Sequence, residues 1–455
     1  MRSGSFHTLK FLDSAREDGN LVFNRRQLMA QLAAAGLGFA FPLQERDLFA
    51  ADPDKSEDAP YEGPFYAVFN ASGGWDTTYL MDPKGIEGIN RLYGHGDIRT
   101  HGNHRFAPTA THIASGMSNE TFFEKYGNEL LVVNGIDLSV NNHTPCSRYM
   151  ATGKLDSLAY PTFAALVAAC RGSNTPLAFL TFGNYSATGN IVPMSRVPYL
   201  QSLNLLSKAD YVEGNDRAPY HEPFIAEKIE NALARQHEQR IKMSQLPRIE
   251  QSENMLFAAQ NSSKSLDRIV PYIPKEVAKQ RLHQQCDIAL AAFKAGVCVS
   301  ANLSIAQFDS HKNNDPDQMK LIPEFLDGID YLLQRAETLA IRDKVVVIMQ
   351  SEMGRTPEYN AGNGKDHWSI NSIMFLGSGI QGNRVLGATD DKQFLIPVHP
   401  ANLMLDPERG IRIRPEHIHQ ALRELAGIEE HPHCSKFSLN VPGEERLRSL
   451  WSSGA

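Results

Sequence analysis

The chain has 455 residues, 42% hydrophobic and 21% charged, with a formal net charge of -7. That length can bury a large core without staples, and the acidic balance excludes a general nucleic-acid binder, which would show a basic face. The five cysteines, Cys146, Cys170, Cys286, Cys298 and Cys434, are scattered with no CxxC spacing, which excludes a disulfide scaffold and gives no support to a thiolate zinc site.

At the N-terminus, Asn24-Arg25-Arg26-Gln27-Leu28-Met29 precedes a mildly apolar run from Ala30 to Pro42. Paired arginines before such a run resemble a twin-arginine export signal, although Asn24 stands where serine or threonine is usual. Ala50-Ala51 is the best cleavage site. The run is too short to span a bilayer, which takes about 20 apolar residues. Residues 1–51 are therefore expected to be the signal, with the twin-arginine machinery as partner and a bacterial periplasm or exterior as destination. No stable transmembrane segment is expected in the mature chain. Polar, proline-bounded residues 52–60 read as a linker.

Residues 61–445 read as one α/β domain. Short apolar runs at 65–69, 129–133 and 177–182 are predicted strands. Pro161 opens a helix that ends near Gly172. The segment at about 222–270 is charged, glutamine-rich and helical in period, and reads as an insertion lying on the main domain. A coiled-coil dimer arm is the alternative. A further helix is predicted over 275–294. A strand within 297–308 then leads into Asp309. Residues 319–339 carry an apolar stripe suited to packing on a sheet. The runs at 345–349, continuously β-branched, and 373–376 read as buried parallel strands. A final helix over 416–426 stops at Gly427. Strands alternating with helices predict a mostly parallel sheet with helices on both faces. Sites in such sheets sit at the carboxyl ends of the strands.

Four polar clusters follow predicted strands: Ser72-Gly73-Gly74-Trp75-Asp76, Asn142-His143-Thr144-Pro145-Cys146-Ser147-Arg148, Asp309-Ser310-His311, and Ser351-Glu352-Met353-Gly354-Arg355-Thr356-Pro357 with Asp366-His367 beyond it. Carboxylates and imidazoles together suit zinc, manganese or similar ions. Asp309 and His311, two residues apart, point the same way on extended backbone. Glu352 is a ligand or an outer carboxylate, or else it caps a helix or pairs with Arg355. Two metals would clamp a phosphoryl or sulfuryl group, and Arg148 or Arg355 would add a bidentate hold on that anion. Each signal alone is ordinary loop content; the argument rests on several following separate strands. His95, His101 and His104 read as a solvated lid, Gly377-Ser378-Gly379 as a tight turn, and the methionines as core fillers.

The stretch from Phe308 to Asn314, the run Val345 to Pro357 and Gly364-Lys365-Asp366-His367 resemble an uncharacterised bacterial family of twin-arginine-exported proteins, the domain of unknown function numbered fifteen-oh-one. The resemblance runs from about residue 65 to 430, and Glu352-Met353-Gly354-Arg355-Thr356-Pro357 is its most specific part. That family is similar to the alkaline-phosphatase and sulfatase superfamily, which implies an alkaline-phosphatase-like fold holding one or two divalent ions: zinc, manganese, calcium or magnesium. By this resemblance Asp309, His311, Asp366 and His367 match ligand positions. Asp76 or Asp82 stands for a first-strand aspartate, and His417 or His419 for a late ligand. The superfamily's nucleophile follows the second strand, where Thr144 and Ser147 are both candidates and His143 is a ligand or a general base. The sulfatase Cys-x-Pro-x-Arg motif is resembled there only with Cys146 out of register. The implied function is an exported metal-dependent hydrolase of phosphate or sulfate esters, small-molecule or polymeric. The alternative is a non-catalytic exported binding or surface-assembly protein that keeps the fold.

Overall fold

The structure is a computed structural model that describes residues 59–109, 113–172, 175–200, 211–212, 215–219, 221–244, 246–247, 249–250, 252–254, 257 and 266–452. The export signal expected at 1–51 and most of the 52–60 linker lie outside the described residues. All described residues fall in one compact unit.

The main elements in chain order are β1 (Phe65–Ala71), β2 (Arg99–His101), β3 (His104–Phe106), α1 (Asn119–Tyr126), β4 (Leu131–Asp137), α2 (His143–Thr152), α3 (Phe163–Arg171), β5 (Phe179–Thr181) and β6 (Met194–Ser195). They continue with α4 (Pro223–Met243), α5 (Arg281–Lys294), β7 (Ser300–Ile305), α6 (Asn314–Thr338), β8 (Val345–Gln350), β9 (Gly354–Tyr359), β10 (Lys365–Trp368), β11 (Ile370–Gly377), β12 (Arg384–Leu386), α7 (Pro415–Leu425) and α8 (Pro432–Lys436).

One eight-stranded sheet has the order β12-β4-β11-β8-β1-β7-β5-β6. All seven residues of β1 are buried because both faces are covered. Phe65, Ala67 and Phe69 point into a core built with α1, α5 and α6. Tyr66 and Val68 point into a second core built with α2, α3 and α7. Two-sided burial explains why β1 and β8 read as unbroken apolar runs. The fold class is thus α/β, with a mostly parallel sheet between helical layers.

The run at 373–376 departs from the parallel set. As β11 it pairs antiparallel with both β8 and β4. The chain leaves β8 through the β9–β10 hairpin, with no crossover helix to carry it back, so it must return in the opposite sense. The predicted strands at 65–69, 129–133 and 345–349 are β1, β4 and β8. The helix predicted over 319–339 starts earlier, at Asn314, with Asp315 and Asp317 in its first turn, where acids complement the dipole. Ile380 closes the expected tight turn by donating its backbone N–H to Gly377 O at 3.2 Å.

The insertion helix α4 has no buried residue, and it meets the helical residues that follow it. There His237 stacks on Phe257 with ring centroids 4.1 Å apart, and Arg240 pairs with Glu253 at 3.1 Å. The histidine-rich segment read as a solvated lid forms the β2–β3 hairpin. His104 within it is 1% exposed, with Nε2 on Gly127 O at 2.9 Å. Among the described residues no helix is long and apolar enough to cross a membrane.

Candidate metal centre

Strands β4, β8, β1 and β7 all run the same way, so their carboxyl ends share one edge, and β11 begins at that edge. His143 follows β4 as the first residue of α2. Glu352 follows β8, and Asp309 and His311 follow β7. Asp366 and His367 lie on β10, just before β11. Four separate segments therefore deliver polar side chains to one place. Among the described residues, one group of three or more metal-ligating side chains has its ligand atoms within 4.8 Å of one another: His143, Asp309, His311 and His367.

The histidine tautomers follow from their outer partners. His143 Nδ1 lies 3.1 Å from Glu352 Oε1, His311 Nδ1 lies 2.8 Å from Asp366 Oδ1, and His367 Nδ1 lies 2.9 Å from Asn141 O. Carboxylates and a carbonyl only accept, so each Nδ1 must donate, and each neutral ring presents an Nε2 lone pair inward. His311 Nε2 and His367 Nε2 then face each other at 2.9 Å. His143 Nε2 lies 3.4 Å from Asp309 Oδ2, while His311 Nε2 and His367 Nε2 lie 3.3 and 3.7 Å from Asp309 Oδ1. Acceptors this close repel unless a cation stands among them. Four donors around an ion with bonds of roughly 2.0–2.1 Å would be spaced roughly 3.4 Å apart, so the cluster fits a small tetrahedral ion. Glu352 Oε2 is also buried without a hydrogen-bond partner among the described residues.

The surroundings favour the ligating form of His367 and Asp309, whereas at His143 the partners favour the protonated ring, which must lose that proton to ligate. The Glu352 hydrogen bond holds the His143 pKa above the ordinary imidazole range against burial, with Asp309 adding to it. Burial holds that of His367 below it. For Asp309 burial acts upward, but the Arg355 guanidinium and the nearby histidines prevail and hold the carboxyl below its usual range. The His311 hydrogen bond does the same for Asp366.

Arg355 does not hold an anion here. Its side chain is 0% exposed. Nε donates to Gly74 O at 2.9 Å, Nη1 to Lys365 O at 3.0 Å, and Nη2 to Gly73 O, to Phe308 O and to Asp309 Oδ1 at 2.7 Å. One guanidinium thus ties the loops after β1 and β7 to β10. The tie needs close backbone approach. A Cβ on Gly73, at φ +122, would lie 2.4 Å from Asp309 N, and one on Gly364 would lie 2.0 Å from the His311 carbonyl.

The other sequence candidates are not among the four clustered donors. Asp76, expected as a ligand, is fully buried, and its Oδ2 accepts from Lys365 Nζ at 2.7 Å and from Asn314 Nδ2 at 3.0 Å. Asp82 pairs with Lys84 at 3.0 Å. Arg148 donates from Nε to Leu155 O at 2.8 Å, and at about 100° per residue it sits roughly 140° around α2 from His143. Thr144 is exposed on the first turn of α2, and Ser147 is half-buried. Cys146 is buried with Sγ on Val140 O, and burial pushes its thiol up to about 11, so it is an inert core residue. His417 is held by Glu445 at 3.2 Å.

His419 is 5% exposed and bonds to Met150 O at 2.9 Å, and burial pushes its pKa down from 6.5 to about 4. Its folded pKa lies below the unfolded one, so the unfolded chain takes up the proton first as pH falls. Stability contributed by neutral His419 is therefore lost between 6.5 and 4, about 2–3 kcal/mol of it by pH 4.5. Urea unfolding at pH 7 and 4.5 should show His419→Gln losing correspondingly less than wild type; equal losses would place the acid sensitivity elsewhere.

Sequence reasoning missed the outer acceptor Asn141 O and the buried Lys365. A backbone carbonyl carries no sequence signal, and a lysine beside Asp366 reads as surface.

Residues 219–419 match the family model described as a protein of unknown function, DUF1501. Over that stretch the chain is similar to the DUF1501 family. The matched segment contains Asp309, His311, Glu352, Arg355, Asp366 and His367, whereas His143 and the Gly73 loop precede it. No curated protein matches the chain. Among solved structures, it is similar to a sulfatase from Pseudoalteromonas sp. at 13% identity, covering 82% of this chain and 69% of that one, with a TM-score of 0.37. It is also similar to a lipoteichoic acid synthase from Listeria monocytogenes at 9% identity, covering 87% and 77%, with a TM-score of 0.35. A third is the alkaline phosphatase TAB5, a mutant with magnesium bound, at 10% identity, covering 81% and 99%, with a TM-score of 0.34.

Proposed function

We propose that this chain is an exported metal-dependent hydrolase of phosphate or sulfate esters, with one transition-metal ion held by the Nε2 atoms of His143, His311 and His367 and bordered by Asp309. One observation carries the reading: three imidazoles, each held from behind at Nδ1, aim their Nε2 atoms at one point beside a carboxylate. Three imidazoles favour zinc, and the carboxylate of Asp309 admits manganese, whereas calcium and magnesium prefer all-oxygen sites.

A bound divalent ion would polarise an ester oxygen as a Lewis acid. The chain's own groups do the rest. Glu352 and Asp366 orient His143 and His311 and raise their basicity as donors. Thr144, exposed beside His143, is the nucleophile in this reading.

A second reading, a non-catalytic exported binding protein with the same centre, is favoured by the inert environment of Cys146. The experiment that decides combines elemental analysis of the pure protein with hydrolysis of an aryl phosphate and an aryl sulfate before and after chelation. About one equivalent of zinc or manganese and turnover abolished by chelator are expected. Stoichiometric metal whose removal leaves turnover unchanged would overturn the mechanism, and metal without any turnover would leave the binding reading.

A further inference from the structure

We infer that Asp309 is a displaceable partner at this centre: the three imidazoles alone retain the ion, and the place of the carboxylate is open to exchange with an incoming anion. This rests on the metal reading above and concerns how the chain divides the work among four side chains.

Arg355 is 0% exposed, and among its described contacts Asp309 is the carboxylate it meets; the others are backbone carbonyls. A buried guanidinium needs a counter-charge, because leaving it unpaired in a low-dielectric interior is strongly unfavourable. Asp309 supplies that charge through Oδ1, 2.7 Å from Nη2. The same oxygen is 3.3 Å from His311 Nε2 and 3.7 Å from His367 Nε2. Its strongest partner is therefore the arginine behind it.

The histidines are placed differently. Each is anchored at Nδ1 by an acceptor outside the cluster, so nothing competes for its inward lone pair. Asp309 is also the most open of the four, with its side chain 46% exposed against 20–42% for the histidines. An anionic oxygen arriving from solvent meets a carboxylate already neutralised by Arg355. Arg355, with its donors committed, acts on that anion only through Asp309. This makes Arg355 a positioning residue.

The test compares Asp309→Asn with His143→Ala, His311→Ala and His367→Ala, each titrated with zinc against a chromophoric chelator. Asp309→Asn should bind zinc within about tenfold of wild type, while each histidine variant loses roughly a hundredfold or more. A folded Asp309→Asn protein that loses zinc as severely as the histidine variants overturns the inference. Because Asp309→Asn leaves Arg355 without its counter-charge and can unfold the chain, a second measurement uses the wild-type protein loaded with cobalt and titrated with inorganic phosphate. A saturable change in the visible spectrum is expected, and an unchanged spectrum overturns the inference. If wild type binds neither zinc nor cobalt stoichiometrically, the metal reading itself fails and the inference falls with it.

Discussion

Replacing His311 by alanine should lower zinc affinity by about a hundred- to a thousandfold while barely moving the melting temperature of the ion-free protein. Structural zinc sites release about 10–16 kcal/mol through four ligands, so one ligand is worth roughly 3–4 kcal/mol, or two to three powers of ten. The ring of His311 is 42% exposed, and its contacts are to other polar groups of the cluster, so its loss opens no cavity in either core. Asp366→Ala should have a smaller effect, about 10–100-fold, because it removes only the group that orients His311. Competition titrations with a chromophoric chelator read both values. If Asp366→Ala costs as much as His311→Ala, the division into inner donors and outer acceptors is wrong. If neither changes zinc affinity, the ion binds elsewhere.

The largest stability effect is expected at Lys365, not at the cluster. Lys365 and Asp76 are both 0% exposed, with Nζ and Oδ2 2.7 Å apart, and the lysine lies 5.1 Å from the centroid of the Tyr359 ring. Asp76 also accepts from Thr78 and Asn314. Lys365→Ala would leave a carboxylate buried without a counter-charge, a loss of about 3–5 kcal/mol. Combining Lys365→Met with Asp76→Asn removes both charges and should recover much of it, since an apolar or neutral pair of similar volume avoids the desolvation cost. Urea midpoints at pH 7 for the two variants make the comparison. A single variant that unfolds at the wild-type midpoint would mean that the pair contributes nothing to stability.

Asp76 illustrates how far the sequence could be read. The alternation of strands and helices was legible, and so was the position of Asp309-Ser310-His311 just after a strand. What the sequence does not display is which way a polar residue faces once the loops close. Asp76 follows β1 at a strand end, as a ligand would, yet it turns inward to Lys365. Arg355 lies in the most family-specific stretch and has the right chemistry for an anion, yet burial commits its donors to backbone carbonyls and to Asp309. His419 sits on a strongly amphipathic helix, and its buried ring was indistinguishable from a ligand by residue type. His143 was legible only as one of several roles, because its partners Glu352 and Asp309 lie more than 150 residues away and meet it only through the sheet. The reversed strand β11 escaped for a similar reason: an apolar run such as Ile373 to Leu376 marks burial on two faces but not strand direction.

The grip of Arg355 on three loops sets how the protein can receive a ligand. A loop that swings open independently needs weak ties to the body, whereas here the segments around Gly73, Asp309 and Lys365 share one guanidinium sealed inside the molecule. Local opening draws on the least stable parts of a fold, and these segments are joined to the sheet itself. Their backbone amides should exchange hydrogen as slowly as those of the central strands. A ligand bound at this edge would therefore dock into a preformed mouth, with selectivity coming from the shape and charge already displayed there.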